Sequence, residues 1–262
     1  MVEAERLHAA ACEVVPRLCS VLEGARFERR PGYIWTVCPQ VPIPSFNSVW
    51  AEDDACAALL ADAISEIVAL GLPYSVQMRA NRTPQCEEAA EHMGLMPVEK
   101  IPAMLLTAEE LVDVEVPDLE MIRVATRDEL AQALALAAEG FAVQPEIFAP
   151  LYDLDVAALD GLEYYLGRVG NTDVTTAVGF TVGDAVGVFN VATLPQHRGR
   201  GYGAAITARV AREGFHSGAE FAWLQANALS QSVYRRLGFR DVETYELWTA
   251  PEALLEAPEG LV

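Results

Sequence analysis

The chain has 262 residues, 52% of them hydrophobic, enough to bury a sizeable core in one or two domains. Thirty-eight acidic against 18 basic residues give a formal charge of −20. The cationic footprint required by a nucleic-acid backbone is therefore missing, and no nucleic-acid partner is expected. Nor is a membrane span or a secretory signal expected, because no apolar run reaches ~18 residues and the first residues carry acids where a leader would be basic. The five cysteines (Cys12, Cys19, Cys38, Cys56, Cys86) are odd in number and show no C-x-x-C spacing. They point to a reducing, cytoplasmic setting, to thiols serving as small buried hydrophobes, and away from a metal site.

In chain order, LHAAACEVVPRLCSVLEGA reads as a helix interrupted by Pro16. RFERRPGYIWTVCP gives one or two strands about a Pro31-Gly32 turn, and VPIPSFNSVWAEDD is a Pro-rich approach to a strand that ends in acids. ACAALLADAISEIVALGL is an amphipathic helix closed by Gly71, followed by a strand (YSVQMRAN), a helix (PQCEEAAEHMGL) and a strand (PVEKIPAMLLT). DVEVPDLEM, around Pro117, reads as a linker. Beyond it come a strand (MIRVAT), a helix (RDELAQALALAAEGF) and a mostly helical PEIFAPLYDLDVAALD. Three strands follow, turning at Gly170-Asn171 and Gly183-Asp184, then a Gly-rich loop, the helix AAITARVAREGF, FAWLQAN as a strand, LSQSVYRRLGF as a helix and VETYELWTA as a strand.

The two halves resemble each other. FNSVW at Phe46 matches FNVAT at Phe189, MRAN ending at Asn81 matches LQAN ending at Asn227, and HMGL matches RLGF, each at an offset of about 145. This suggests two copies of one fold, 1–116 and 117–262. They differ after the central strand, where the first copy has Glu52, Asp53 and Asp54 in place of glycines. Three carboxylates repel phosphate, so the first copy is expected to bind none, and to serve by packing on the second and walling its pocket.

The chemistry lies in AVGVFNVATLPQHRGRGYGAA, residues 185–205. An apolar β-branched strand runs into a loop with Arg198, Arg200 and three glycines (Gly199, Gly201, Gly203), and a helix opens at once. Backbone N–H groups and the helix dipole make such a junction an anion site, and arginines can pair with phosphate. A phosphate loop would need Gly-Lys-Ser/Thr, which the chain lacks. A dinucleotide fold would need G-x-G-x-x-G and an acid about 20 residues on, whereas the glycines run G-x-G-x-G and the next strand ends in Asn227.

The stretch resembles the acetyl-CoA loop of the Gcn5-related N-acetyltransferases (GNAT), whose Arg/Gln-x-x-Gly-x-Gly/Ala pattern is matched by Arg198, Gly201 and Gly203. NALSQSVYRRLGF is similar to the downstream half of the family signature, with Asn227, Ser230 and Tyr234 before Leu237-Gly238-Phe239. The close likeness spans about 120–250. It implies an α/β fold (an α+β mixed sheet), and with the internal repeat two tandem GNAT copies. It also implies acetyl-CoA as co-substrate, with no metal. Val191, Ala192 and Thr193 would pair with pantetheine as an added strand, and one of their amides would receive the developing oxyanion. Arg198, Gly199, Arg200, Gly201, Tyr202, Gly203 and Ala204 would hold the phosphates. Asn227 would bond the pantetheine arm or a water, or else simply turn the strand end. Ser230 would touch the cofactor or, like Ser232, cap the next helix.

Acetyl transfer needs a neutral amine, although free amines titrate near ~10, and a proton for a thiolate comparable to cysteine at ~8.5. Tyr234 would be the general acid by the same resemblance; the plainer reading is a tyrosine half-buried between helix and sheet. For the base the candidates are Glu139, Glu163 or a water held by Asn190, which stands where some relatives carry a glutamate; His197 reads as a loop residue. All five cysteines precede position 87, so the second copy offers no thiol nucleophile and the amine would attack directly. The alternative is a CoA-responsive binding or sensor module without turnover. Acetyl or longer acyl donors, small-molecule or protein amines as acceptors, and a monomeric or homodimeric state all stay open; the acidic charge favours cationic small molecules.

Overall fold

A computed structural model describes residues 2–251; Met1 and residues 252–262, which the expected domains 1–116 and 117–262 include, lie outside the described residues. The first element is helix α1 (Val2–Cys19). It runs through Pro16 without the expected interruption, because a proline there withdraws one backbone donor and Ser20 N–H still closes onto Pro16 O at 3.0 Å. Strands β1 (Arg26–Arg30), β2 (Tyr33–Val37) and β3 (Ser48–Ala51) follow, then α2 (Leu60–Val68), β4 (Ser75–Arg79), α3 (Pro84–His92) and β5 (Met96–Thr107). After β6 (Leu119–Arg123) come α4 (Arg127–Phe141), α5 (Pro145–Phe148), a 3-10 turn at Ala149–Tyr152 and α6 (Leu154–Ala157). The remainder is β7 (Leu162–Val169), β8 (Thr172–Val182), β9 (Ala185–Thr193), α7 (Tyr202–His216), β10 (Phe221–Gln225), α8 (Gln231–Arg236) and β11 (Arg240–Thr249).

These elements form two compact units that interleave along the chain, whereas the sequence reading placed one cut at 116/117. One unit holds the described residues to Val14 and Ala103–Val242; the other holds Val15–Pro102 and the described residues from Glu243. The first unit has the strand order β5-β10-β9-β8-β7-β6, with β9–β10 parallel and the other pairs antiparallel. The second has β1-β2-β3-β4-β11, with β3–β4 parallel and the rest antiparallel. From β7 to β5 and from β1 to β11 the sequence of ladder senses is the same. The strand after the parallel pair is β5 in the first unit, which precedes that unit's other strands in the chain, and β11 in the second, which follows them.

Each unit has its own core. Met104, Leu106, Val186, Val188, Ile206, Val210, Leu224, Leu237 and Phe239 fill the first. Trp35, Val49, Leu60, Ile64, Ile67, Met78, Cys56, Cys86 and Trp248 fill the second. All five thiols are free, and four of them are buried as expected, with Cys19 half-buried. No helix among the described residues is long and apolar enough to cross a membrane.

Two helices cover β9. A capping box starts α4: Thr126 Oγ1 accepts from Glu129 N–H at 3.2 Å, while the Glu129 carboxylate accepts from Thr126 N–H at 3.0 Å. Its far end lies so close to β9 that a Cβ on Gly140 would fall 2.7 Å from Ala192 Cβ. Helix α7 takes the opposite face, where a Cβ on Gly214 would meet Val186 at 2.4 Å. Gly140→Ala is therefore expected to cost about 1–3 kcal/mol by overpacking. In a double-mutant cycle read by chemical denaturation, Ala192→Gly should recover part of that loss; strictly additive effects would show that the contact does not couple the two residues.

Candidate active site

β9 holds two neighbours along only part of its length. With β8 it is paired from Ala185 to Thr193, but with β10 only through Ala185↔Phe221, Val186↔Ala222 and Gly187↔Trp223. β10 continues to Gln225, bonded on its other edge to β5 as far as Ala103. Beyond Gly187 and Trp223 the facing edges diverge, which frees main-chain donors and acceptors on both. Two local features drive the parting. The Phe189 ring lies over Gly187 and meets Trp223 edge-on at 5.2 Å, filling the space a Cβ at Gly187 would need. Then the β8–β9 register slips between Thr176 and Val178, with Asn190 at φ 48° in the left-handed region. Asparagine is among the few residues that tolerate this conformation. The bulge inverts the side-chain alternation: Val191 joins the core with Val186 and Val188, while Ala192 turns to Gly140.

At the end of β9 the chain passes through a 3-10 turn, Pro195–His197, and enters α7. Gly201, at φ 85°, is the helix N-cap, a conformation that a side chain would strain. No acid lies in the first turn, so the unsatisfied N–H groups and the positive end of the dipole meet no carboxylate of their own helix. Around Gly199 a Cβ would meet nothing within 4 Å, and at Gly201 and Gly203 the nearest atoms are 3.5 Å and 3.4 Å away. The junction is a cradle with room beside it and fits a phosphate-bearing ligand.

The two arginines have different surroundings. Arg198 donates from Nε to Thr193 O at 3.1 Å and from Nη2 to Gly140 O at 2.7 Å, tying the strand end to the end of α4. Arg200 is exposed and has no ion-pair partner among the described residues. Tyr202 is buried, its hydroxyl donating to Asp118 at 3.0 Å. Ala204 lies half-buried in the first turn of α7 against the core. Of the Val191–Thr193 carbonyls, that of Thr193 accepts from Arg198 and that of Ala192 from Thr175 Oγ1 at 2.8 Å.

Tyr234, on α8, is 8% exposed and meets Phe239 edge-on at 6.0 Å. Burial pushes its phenol up to about 12, the Ser230 hydroxyl offsetting part of the shift, so the proton is retained throughout the physiological range. Asn227 Oδ1 accepts from Leu229 N–H, Ser230 N–H (2.9 Å) and Ser230 Oγ (2.8 Å), fastening the β10–α8 turn. Glu163 is engaged by the Tyr165 hydroxyl and by Arg123 at 2.7 Å. Glu139 is exposed on the turn of α4 next to Gly140. Sequence reasoning missed Gly140, Thr175, Asp118 and Tyr152, which carry no motif, though it read the segment that holds Tyr152 as mostly helical.

The second unit handles the corresponding region differently. β3 stays paired with β4 from Ser48 to Ala51, its whole length. Asp53 then accepts from Ala55 N–H at 2.8 Å, Asp54 accepts from Gln85 N–H at 2.8 Å at the start of α3, and Glu52 binds Arg29 at 2.7 Å. Its strand pair does not open within the ladder, and its helix starts are met by its own carboxylates.

Comparison with known proteins bears on the first unit directly. Residues 121–242 match the acetyltransferase (GNAT) domain. Among solved structures, a GCN5-related N-acetyltransferase from Kribbella flavida superimposes with a TM-score of 0.72 at 20% identity, covering 92% of this chain and 95% of that one. A GCN5-related N-acetyltransferase from Sphaerobacter thermophilus gives 0.64 at 16%, covering 93% and 90%. A tandem GNAT protein from the clavulanic acid biosynthesis pathway gives 0.55 at 12%, covering 83% and 78%. No curated protein matches significantly. The fold is thus GNAT-like, and GNAT domains bind acyl-CoA, acetyl-CoA being the usual one.

The geometry makes Arg198 a brace and leaves Arg200 exposed beside the loop. Arg198→Ala should lower the melting temperature of the ligand-free protein by several degrees, whereas Arg200→Ala should leave it unchanged and weaken acetyl-CoA binding severalfold in calorimetry. Equal effects of the two substitutions on ligand-free stability would refute the division.

Proposed function

We propose that the first unit is an N-acetyltransferase that moves the acetyl group of acetyl-CoA to an amine by direct attack. The observation that carries this reading is the parting of β9 from β10 beside the glycine-lined start of α7. Val191, Ala192 and Thr193 would hold the pantetheine arm along the opened edge, within the limit that two of their carbonyls already accept a bond. Gly199, Arg200, Gly201, Gly203 and Ala204 would receive the phosphates, with Arg198 and Tyr202 holding the loop in shape through Gly140 and Asp118. Asn227 and Ser230 act on each other in the turn before α8; a cofactor contact by either would use what their mutual bonds leave free. Bound acetyl-CoA supplies an activated thioester.

Tyr234 is the general acid in this reading. Its burial keeps the phenol neutral, so it can donate a hydrogen bond to the departing sulfur at any physiological pH. With Glu163 committed to Arg123 and Tyr165, a water held by Asn190, passing the proton on to solvent, is the better supported route for the amine proton. The second unit is read as a degenerate copy of the same fold, on the strength of its matching ladder senses and its carboxylate-filled helix starts, and as one that binds no CoA.

Thiol release from acetyl-CoA across a panel of amines, polyamines, aminoglycosides and amino acids, with calorimetry alongside, tests the reading. Acceptor-dependent release is the expected result. Binding without release from any acceptor would favour the sensor module, and absence of binding would defeat both. Tyr234→Phe should leave acetyl-CoA affinity within about twofold and lower kcat by ~10²-fold or more. Because a raised pKa favours the protonated form, the wild-type rate should show no alkaline loss from this residue below pH about 12; an unchanged kcat in the variant would remove Tyr234 from the mechanism.

A further inference from the structure

Tyr152 closes the 3-10 turn Ala149–Tyr152 and is 6% exposed, yet its hydroxyl has no hydrogen-bond partner among the described residues. The side chain that its oxygen approaches is Asn190, and the two make no hydrogen bond of normal geometry. The phenol cannot swing away easily. Its ring packs on Tyr164 at 5.0 Å, and the Tyr164 hydroxyl donates to the carbonyl of Leu151, which fixes the turn that carries it. Asn190 is held as firmly by the bulge, in a left-handed conformation immediately before Val191 on the opened strand edge.

A buried hydroxyl without a partner works against the stability of the folded chain, and phenylalanine would fill the same space without that cost. Such a group beside a strained bulge is more simply explained by a ligand than by the fold. We propose that the Tyr152 hydroxyl and the Asn190 side-chain amide together hold the acceptor amine at the opened edge of β9. Both groups are neutral, burial pushing the Tyr152 phenol up and away from ionisation. They offer two oxygens, Tyr152 Oη and Asn190 Oδ1, to the N–H bonds of an amine, but no negative charge to balance an ammonium. The pair therefore selects the unprotonated amine, the form whose lone pair can attack, and discriminates against a buried cation that would lack a counter-charge.

This inference rests on the acyltransferase reading, and the experiment separates the two. Tyr152→Phe and Asn190→Gly, the latter keeping the left-handed backbone while removing the amide, are compared with the wild-type chain. Three quantities are measured: acetyl-CoA affinity by calorimetry, acceptor KM and kcat by thiol release with whichever amine of a panel (phenethylamine, tyramine, spermidine, lysine) turns over fastest, and melting temperature. Tyr152→Phe is expected to leave acetyl-CoA affinity within about twofold, raise acceptor KM roughly tenfold and keep or raise the melting temperature. Asn190→Gly should raise acceptor KM similarly. An unchanged acceptor KM in Tyr152→Phe overturns the proposal, as does a lowered melting temperature, which would give the hydroxyl a place in the fold. If no panel amine turns over, the melting temperature decides alone. Failure of the wild-type protein to bind acetyl-CoA would defeat the acyltransferase reading instead.

Discussion

Everything proposed for the first unit depends on two parallel strands failing to stay together. Three residue pairs join β9 to β10, and then the Phe189–Trp223 contact and the bulge at Asn190 carry β9 away. A continuous ladder would satisfy every backbone group and leave nothing for a ligand to bond. An opened one exposes a strand edge inside a folded domain, a recognition surface whose geometry is set by the sheet around it. The cost is carried elsewhere: β8 pairs β9 to its end, β5 pairs β10 to its end, and α4 and α7 clamp β9 from opposite faces through Gly140 and Gly214.

The loop after β9 shows why a motif residue need not act through the atoms that make it conspicuous. The charge of Arg198 suggests phosphate, but its guanidinium spans Thr193 O and Gly140 O and so joins strand end, helix end and loop. Arg200, with no such partner among the described residues, is the freer charge. Asn227 follows the same logic, its carboxamide oxygen taken by the turn that it starts. In both places the polar side chain first builds the loop, and the loop then presents backbone.

The two units make a natural contrast. They share the order of parallel and antiparallel ladders, and beside the parallel pair each has a strand out of chain order, β5 before the rest in the first unit and β11 after the rest in the second. Where the first unit keeps glycines beside a parted strand edge, the second sets Asp53 and Asp54 on backbone N–H groups, pairs Glu52 with Arg29 and keeps its strand paired along its full length.

The sequence by itself determined the elements. Periodicity, prolines, glycines and capping residues are local signals, and most strands and helices from β1 to β11 lie where those signals put them, with the glycine loop and α8 carrying the family likeness; β6 instead begins at Leu119, inside the segment read as a linker. The course of α1 through Pro16, the interleaving of the units, the engagement of Glu163 by Arg123 and the second task of Arg198 were not legible, because each depends on residues far apart in the chain. The same holds for Asn190, which reads as one polar residue in an apolar strand. Only its neighbours in β8 reveal the bulge that turns Val191 inward and brings Asn190 toward Tyr152. Local chemistry fixes what a segment can become; register, close packing and burial, which arise only when distant segments meet, decide which side chains face the site.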